Sequence, residues 1–228
     1  MTISPAMQEY LAETYRIAYY HEDGEPYIST TTLAEEMHVS APAVTRMVQR
    51  LKKIGLLEHE PYQGIKLTKK GEKEALLSIR KHRLVERFLV DVMGFGWHEV
   101  HDSADVLGAN VSPRMVSRMN IMANKPKRCP HGEPIPTEDG IMPRVIDYPL
   151  NDVEMNQHYI ISRVHSHDAA VLQYLEHLGL KPGTEFHLVE KAPFNGPIQL
   201  NLNDEKHFIG VELAQVLRVC SRAEYELV

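Results

Sequence analysis

Tryptophan occurs once in the 228 residues, cysteine twice, and aromatic residues make up only 7% of the chain. No run approaches the ~18 apolar residues of a membrane-spanning helix, and the mean hydropathy is −0.32, so no membrane partner is expected. Two cysteines, Cys129 and Cys220, make no disulfide framework, which points to a reducing, cytoplasmic setting. The start MTISPAMQEY has no charged segment leading into an apolar one, so no secretory signal is expected. There are no repeats and no low-complexity tracts. Positive charge is not in excess either: the formal net charge is −6, which argues against an indiscriminate polyanion binder but conceals local patches. Histidine is abundant, with 13 copies. It is the commonest metal ligand and the neutral-pH proton carrier, so the positions of these histidines matter most.

The patterning predicts a mainly α chain with a small β component, in three parts: 1–75, 76–149 and 150–228. In the first, Ser4-Pro5 opens a helix to about Tyr20, and His21-Glu22-Asp23-Gly24-Glu25-Pro26 breaks it. A short helix spans about Thr31 to Met37, with Thr32 and Glu35 at capping-box spacing. Val39-Ser40-Ala41-Pro42 turns into a second helix that ends near Ile54, before Gly55. Two short strands follow within 56–67, around Tyr62-Gln63-Gly64. Two helices, a turn and a hairpin form the layout of a winged helix-turn-helix. A long helix to about Val92 starts the second part. More helix runs to about residue 123, broken at Gly94-Phe95-Gly96 and Ser112-Pro113, and a Pro- and Gly-rich linker covers 124–149. In the third part, strands at 159–161, 185–189 and 198–202 and a helix over about 168–177 fit a small β-barrel.

Residues 40–73 carry eight basic residues against three acidic ones. Phosphate contacts supply most non-specific DNA affinity, and the negative remainder of the chain turns this face toward the duplex. On the second helix of the motif, Ser40, Pro42, Thr45 and Arg46 face the groove, with Arg50 beyond them. Arg46 is able to fork onto guanine, and Lys66 on the wing touches backbone. The charge run by itself also describes a solvated amphipathic helix; the motif around it favours DNA.

His82 and Glu86 lie at i, i+4 on one helix face. His98, His101, Asp102 and Asp105 share a face of the next helix. Two helices presenting imidazole and carboxylate together are able to chelate one divalent cation such as Mn, Fe, Co, Ni or Zn. The same spacing also describes an exposed ion pair. A catalytic zinc is a further alternative, although the chain lacks His-Glu-x-x-His and no small-molecule substrate is indicated. Cys129, in a proline-rich run without a cysteine neighbour, reads as structural. Val85, Phe88, Leu89, Val92 and Met93 form an apolar stripe that reads first as core.

The runs Lys81-His82-Arg83-Leu84-Val85-Glu86-Arg87, Val100-His101-Asp102, Cys129-Pro130-His131-Gly132 and Val39-Ser40-Ala41-Pro42-Ala43-Val44-Thr45 resemble the diphtheria toxin repressor and manganese transport regulator family. Leu178-Gly179-Leu180-Lys181-Pro182-Gly183 and Ala192-Pro193-Phe194-Asn195-Gly196-Pro197 resemble the family's C-terminal SH3-like, or FeoA-like, domain. The resemblance spans nearly the whole chain. It implies a homodimer that binds double-stranded operator DNA under metal control, as a winged helix, a helical dimerisation and metal-binding domain with the Pro-rich linker, and an SH3-like β-barrel. It implies repression of metal-homeostasis genes by Mn(II) or Fe(II). The cysteine-free ligands lean toward Mn(II), with Zn(II), Co(II) and Ni(II) as further ions. One metal site falls on His82, Glu86 and His101, completed from the SH3-like domain by His165 and Asp168, with His167 as an alternative.

A second site of the family falls on Glu9, Asp105 and a Glu-His pair. Here that pair is Gly108 and Ala109, which cannot coordinate. The site is incomplete, or rebuilt with Asp102. A regulator of the same fold with lost or altered metal sensing is therefore the alternative, and a metalloenzyme or metal-storage module the more distant one.

Overall fold

Serine–proline punctuation sets the helix starts. In the computed structural model, which describes residues 3–20, 26–203 and 205–227, helix α1 (Pro5–Tyr19) begins where the Ser4 side chain accepts from Met7 N and Pro5 fills the first turn. The predicted break at 21–25 lies outside the described residues. Helix α2 (Thr30–Glu36) starts one residue before the expected Thr31, and Thr32 is not its cap. Its N-cap is Ser29, whose hydroxyl accepts from Thr32 N at 2.9 Å. Helix α3 (Ala41–Lys53) buries Val44, Val48 and Leu51 and leaves its other face to solvent. The antiparallel pair β1 (Leu57–Glu60) and β2 (Gly64–Leu67) follows, registered Leu57 to Leu67. Thr68 Oγ1 then accepts from Gly71 N and donates to the Gly55 carbonyl. Any Cβ on Gly71 would stand 1.9 Å from Leu56 O, so only glycine lets the next helix, α4 (Lys69–Asp91), start this close to the hairpin.

The chain forms two compact units. The first comprises 1–81 with 136–142, the second 82–135 with 143–228, and α4 contributes to both. The core of the first unit is a cluster built on Leu11, Leu33, Val44, Leu51, Leu57 and Ile65. In it, Arg80 donates to the Pro136 carbonyl at 2.7 Å, tying 136–142 to the first part of α4.

The second unit continues with α5 (Val100–Asn110) and α6 (Pro113–Met122), the latter capped by Ser112. Val85, Leu89, Val100, Ala104, Val111 and Met119 form a small helical core. Of the predicted stripe, Val85 and Leu89 are buried, while Val92 and Met93 stay exposed. An irregular segment then leads to β3 (Tyr148–Pro149), β4 (Gln157–Val164), α7 (Ala169–His177), β5 (Glu185–Lys191), β6 (Ile198–Leu202), β7 (Glu205–Ile209), α8 (Val211–Gln215), β8 (Leu217–Cys220) and α9 (Arg222–Tyr225). The strands make one antiparallel sheet in the order β3-β8-β4-β5-β6-β7. Alternation in Ile198-Gln199-Leu200-Asn201-Leu202 points Ile198, Leu200 and Leu202 into the largest core cluster.

Candidate metal centre and nucleic-acid interface

Glu86 is the centre of the site. It is 2% exposed, and three imidazoles converge on its Oε1: His82 Nε2 at 3.1 Å, His101 Nδ1 at 3.4 Å and His131 Nδ1 at 3.7 Å. The helical period places His82 and Glu86 on one face of α4, and α5 presents His101. Burial pushes the Glu86 carboxyl up, but the nearby His82 charge and hydrogen bonds from His101 and His82 bring it well below the usual range. It is therefore an anion in a pocket of nitrogen donors.

His131 arrives from the irregular segment. The turn from Cys129 to Glu133 lies flat against β4: a Cβ at Gly132, where φ is +89°, would stand 2.1 Å from Ser162 O. The His131 Nε2 is 2.9 Å from the Trp97 carbonyl. A carbonyl only accepts, so Nε2 carries the hydrogen and Nδ1 turns its lone pair to Glu86. Burial lowers the pKa of His131, against the opposing pull of Glu86. A neutral nitrogen lone pair facing a carboxylate oxygen is favourable only with a cation between them.

Two groups of three ligand atoms, each mutually within 4.8 Å, meet at this carboxylate: His82, Glu86 and His101, and Glu86, Cys129 and His131. On an ion with bonds of about 2.1 Å, neighbouring donors stand roughly 3.0–3.4 Å apart, close to the spacings around Glu86. The residues present therefore fit a divalent transition ion. Cys129, read as structural from its surroundings, shares this cluster. Burial and the Glu86 charge push its thiol well above its ordinary pKa, so an ion binding it must displace a proton.

The remaining predicted residues are distributed around this centre. His165 Nε2 lies 3.3 Å from Glu133 Oε1. Asp168 caps α7, its Oδ1 accepting from Ala170 N and Val171 N. The His167 ring lies 4.2 Å, centroid to centroid, from that of His101 and 5.5 Å from that of His131. Asp105 contacts His82 Nδ1 at 3.0 Å. Asp102 is exposed in the first turn of α5. Glu9 is exposed on α1 of the first unit, and Gly108 and Ala109 offer no donor. His98, at the entrance to α5, pairs with Glu176 at 3.4 Å.

A buried chain of charges frames the site. Glu133 lies between Arg83 (3.3 Å), Arg163 (3.4 Å) and His165. Despite burial, the hydrogen bond from His165 and the two guanidinium charges hold its carboxyl far below the usual range. Arg163 continues as a bidentate pair onto Asp147, both bonds 2.7 Å, and Arg218 adds a third at 2.8 Å. The chain joins α4, the 129–135 turn, β4 and β8, so the turn that carries Cys129 and His131 is fastened to α4 by an ion pair.

In the first unit, Ser40, Pro42, Thr45, Arg46 and Arg50 are all exposed on or just before α3, opposite Val44 and Val48. Ser40 is the N-cap but its side chain makes no cap hydrogen bond, whereas Thr45 Oγ1 donates to the Ala41 carbonyl. Lys66 pairs with Glu58 at 3.0 Å and lies 4.8 Å over the Tyr27 ring. Hydrogen bonds to Tyr27 and Glu58 push its pKa up to about 12, so it keeps its charge.

Three family models match in order. They are "Iron dependent repressor, N-terminal DNA binding domain" over 2–65, "Iron dependent repressor, metal binding and dimerisation domain" over 68–137, and "FeoA domain" over 148–220. The chain is 28% identical over 199 residues to the diphtheria toxin repressor of Corynebacterium glutamicum, covering 82% of this chain and 85% of that one. A solved manganese-dependent transcriptional repressor in complex with manganese superposes with TM-score 0.86 at 30% identity, covering 94% of this chain and 99% of that one. The repressor ScaR with bound Zn2+ superposes with TM-score 0.75 at 31% identity, covering the same shares of each chain.

Proposed function

Because the chain belongs to the iron-dependent repressor family, and is thereby a metal-responsive, DNA-binding transcriptional repressor, we propose that its signal is a divalent ion held around Glu86, Mn(II) ahead of Fe(II). The observation that carries this reading is a buried carboxylate faced by three imidazole nitrogens. His82, Glu86 and His101 form an N/O seat of the kind that suits Mn(II), with His131 beside it and His165 or Asp168 able to approach from the sheet domain. Cys129 adds a softer donor. The ion would supply the positive charge that these groups lack and cross-link the segments that carry them. We read 1–75 as the DNA reader, 76–149 as the metal-binding and dimerising part, and 150–228 as the SH3-like part. The protein acts in the cytoplasm as a homodimer on operator DNA and catalyses no reaction. Val92, Met93, Val106, Met115, Ile121 and Met122 leave apolar area exposed on α5, α6 and the turn after α4, which supports self-association through the helical part.

Metal then shifts the dimer toward conformers whose two α3 helices meet successive major grooves, about 34 Å apart. The test is fluorescence anisotropy with DNA from the gene's own upstream region, at fixed salt, first in chelator and then with Mn(II), Fe(II) or Zn(II). Tightening with one metal supports the reading and names the signal. Equal affinity in chelator favours a second reading, in which metal sensing has been lost. One observation motivates that alternative: Gly108 and Ala109 carry no donor where the resemblance implies a Glu-His pair.

Three substitutions test the reading further. Arg46→Ala should cost about 1–3 kcal/mol of specific affinity and relax preference at one base pair. Lys66→Ala should weaken all sequences alike and lower the salt slope by about one. Anisotropy across a salt series separates them, and a uniform loss from Arg46→Ala would remove α3 from the groove. Cys129→Ala should weaken the response to Zn(II) and Cd(II) more than that to Mn(II), because thiolate favours soft ions. Equal losses for all three, in competition titrations, would place the thiol in the manganese shell itself.

A further inference from the structure

Two histidines face each other across neighbouring strands of the sheet. His158 of β4 is registered with His187 of β5, and their rings stand 4.8 Å apart, centroid to centroid, with planes inclined by 30°. Strand alternation turns both away from the core. The next pair, Tyr159 and Phe186, packs inward, whereas His158 is exposed and His187 half-buried. Asn201 of β6 is registered opposite His187, and its Oδ1 is buried with no hydrogen-bond partner among the described residues. We propose that His158 and His187 form a second cation site, separate from the Glu86 centre, for an ion that prefers imidazole: Zn(II), Ni(II) or Cu(II).

The separation of the rings is the one that a shared ion requires. With metal–nitrogen bonds of about 2.1 Å, two ring centroids on one ion stand roughly 4.6 Å apart at a right angle and roughly 5.3 Å at a tetrahedral one. The observed 4.8 Å lies between these limits. Both rings project from strands held by the β4–β5 ladder, so little ordering remains to be done when an ion arrives. The donors are nitrogen: on the same face of β5, Glu185 is engaged by Arg222 at 2.6 Å. Imidazole without carboxylate favours Zn(II), Ni(II) and Cu(II) over Mn(II), the reverse of the preference read for Glu86. The unpartnered Asn201 oxygen beside His187 lies where a cation, or water on it, would satisfy it. The pair is also remote from the first centre along the strand. His158 is four residues, roughly 13 Å, from Ser162, the part of β4 against which Gly132 lies.

Calorimetric titration of the untagged full-length protein with Zn(II) should show one equivalent that His158→Ala and His187→Ala each abolish. Either variant removes the gain from holding two donors together, about 10²–10⁴-fold in affinity. Both positions lie on the outer face, so the variants' thermal melts in chelator should match the parent's. Glu86→Gln should keep this equivalent, and sub-stoichiometric Zn(II) added to that variant should shift the His158 and His187 ring signals together in NMR spectra. Both alanine variants should retain the parent's DNA-binding response to Mn(II). A Zn(II) stoichiometry unchanged by both alanine variants overturns the proposal, as does a loss caused by only one of them. An equivalent that vanishes in Glu86→Gln, or a Mn(II) response that changes with either ring, overturns it too, because the pair would then belong to the first centre.

Discussion

Glu86→Gln should leave DNA binding with no response to Mn(II). A metal-linked gain of about 5–150-fold, typical of allosteric coupling, should fall to about one. Glutamine fills the same volume and keeps an oxygen near the imidazoles, so the effect comes from charge. The ion would then meet uncharged imidazoles, a protonated thiol and an amide, with no anion to neutralise it in a pocket that excludes water. His82→Ala removes the other donor of α4 and should have the same consequence, because the two act on one ion. Anisotropy in chelator separates a silent sensor from a damaged protein: both variants should keep the metal-free affinity of the parent, and their thermal melts should stay close to it. A full Mn(II) response from Glu86→Gln would remove Glu86 from the sensing site, whatever its burial.

Helical periodicity made this half of the centre legible in the sequence. His82 and Glu86 share a face at four-residue spacing, and a 3.6-residue period projects both in one direction. The same logic recovered α1 and α6, whose starts carry Ser-Pro pairs, α3, which opens on Ser40-Ala41-Pro42, and β6, whose alternation is strict. His131 and Cys129 were harder. Their segment has no period from which to project side chains, and they reach Glu86 only because the chain folds flat at Gly132 against β4. The Cys-Pro-His run, two ligand types two residues apart, was the one available signal. Strands β3, β7 and β8 and helices α8 and α9 escaped the sequence reading for a related reason. Each has five residues or fewer, and Glu205–Ile209 carries only two apolar side chains, so the strands among them are set by their neighbours, while α9 rests on a capping box of Ser221 and Glu224. At α2 three consecutive threonines obscured the start, and Ser29, just before them, makes the cap.

Asp147→Ala should destabilise the second unit by about 3–5 kcal/mol, the usual effect of removing one partner from a buried ion pair. The side chain of Asp147 is 1% exposed, and it takes both bonds of the Arg163 fork, whose own residue is 5% exposed. Without the aspartate, Arg163 keeps its charge in a site that water does not reach, and Glu133, at 3.4 Å, already answers Arg83 as well. Arg218, with 26% of its side chain exposed, can turn to solvent and loses less. Scanning calorimetry should show the transition of this unit lowered by roughly 6–20 °C, at 2–4 °C per kcal/mol for a chain of this size. The pH dependence has a definite sign. Burial raises the Asp147 pKa, but the hydrogen bonds and charge of Arg163, with Arg218, bring it below its ordinary value. Its contribution is therefore complete above the unfolded pKa of about 3.9 and disappears as pH falls through the lower folded value. The alanine variant should lack this part of the acid sensitivity. Replacing both partners, Asp147→Leu with Arg163→Met, removes the stranded charge along with its cause and should recover most of the loss. A double variant less stable than Asp147→Ala would mean that the pair itself, and not the uncompensated arginine, holds β4 and β8 in place.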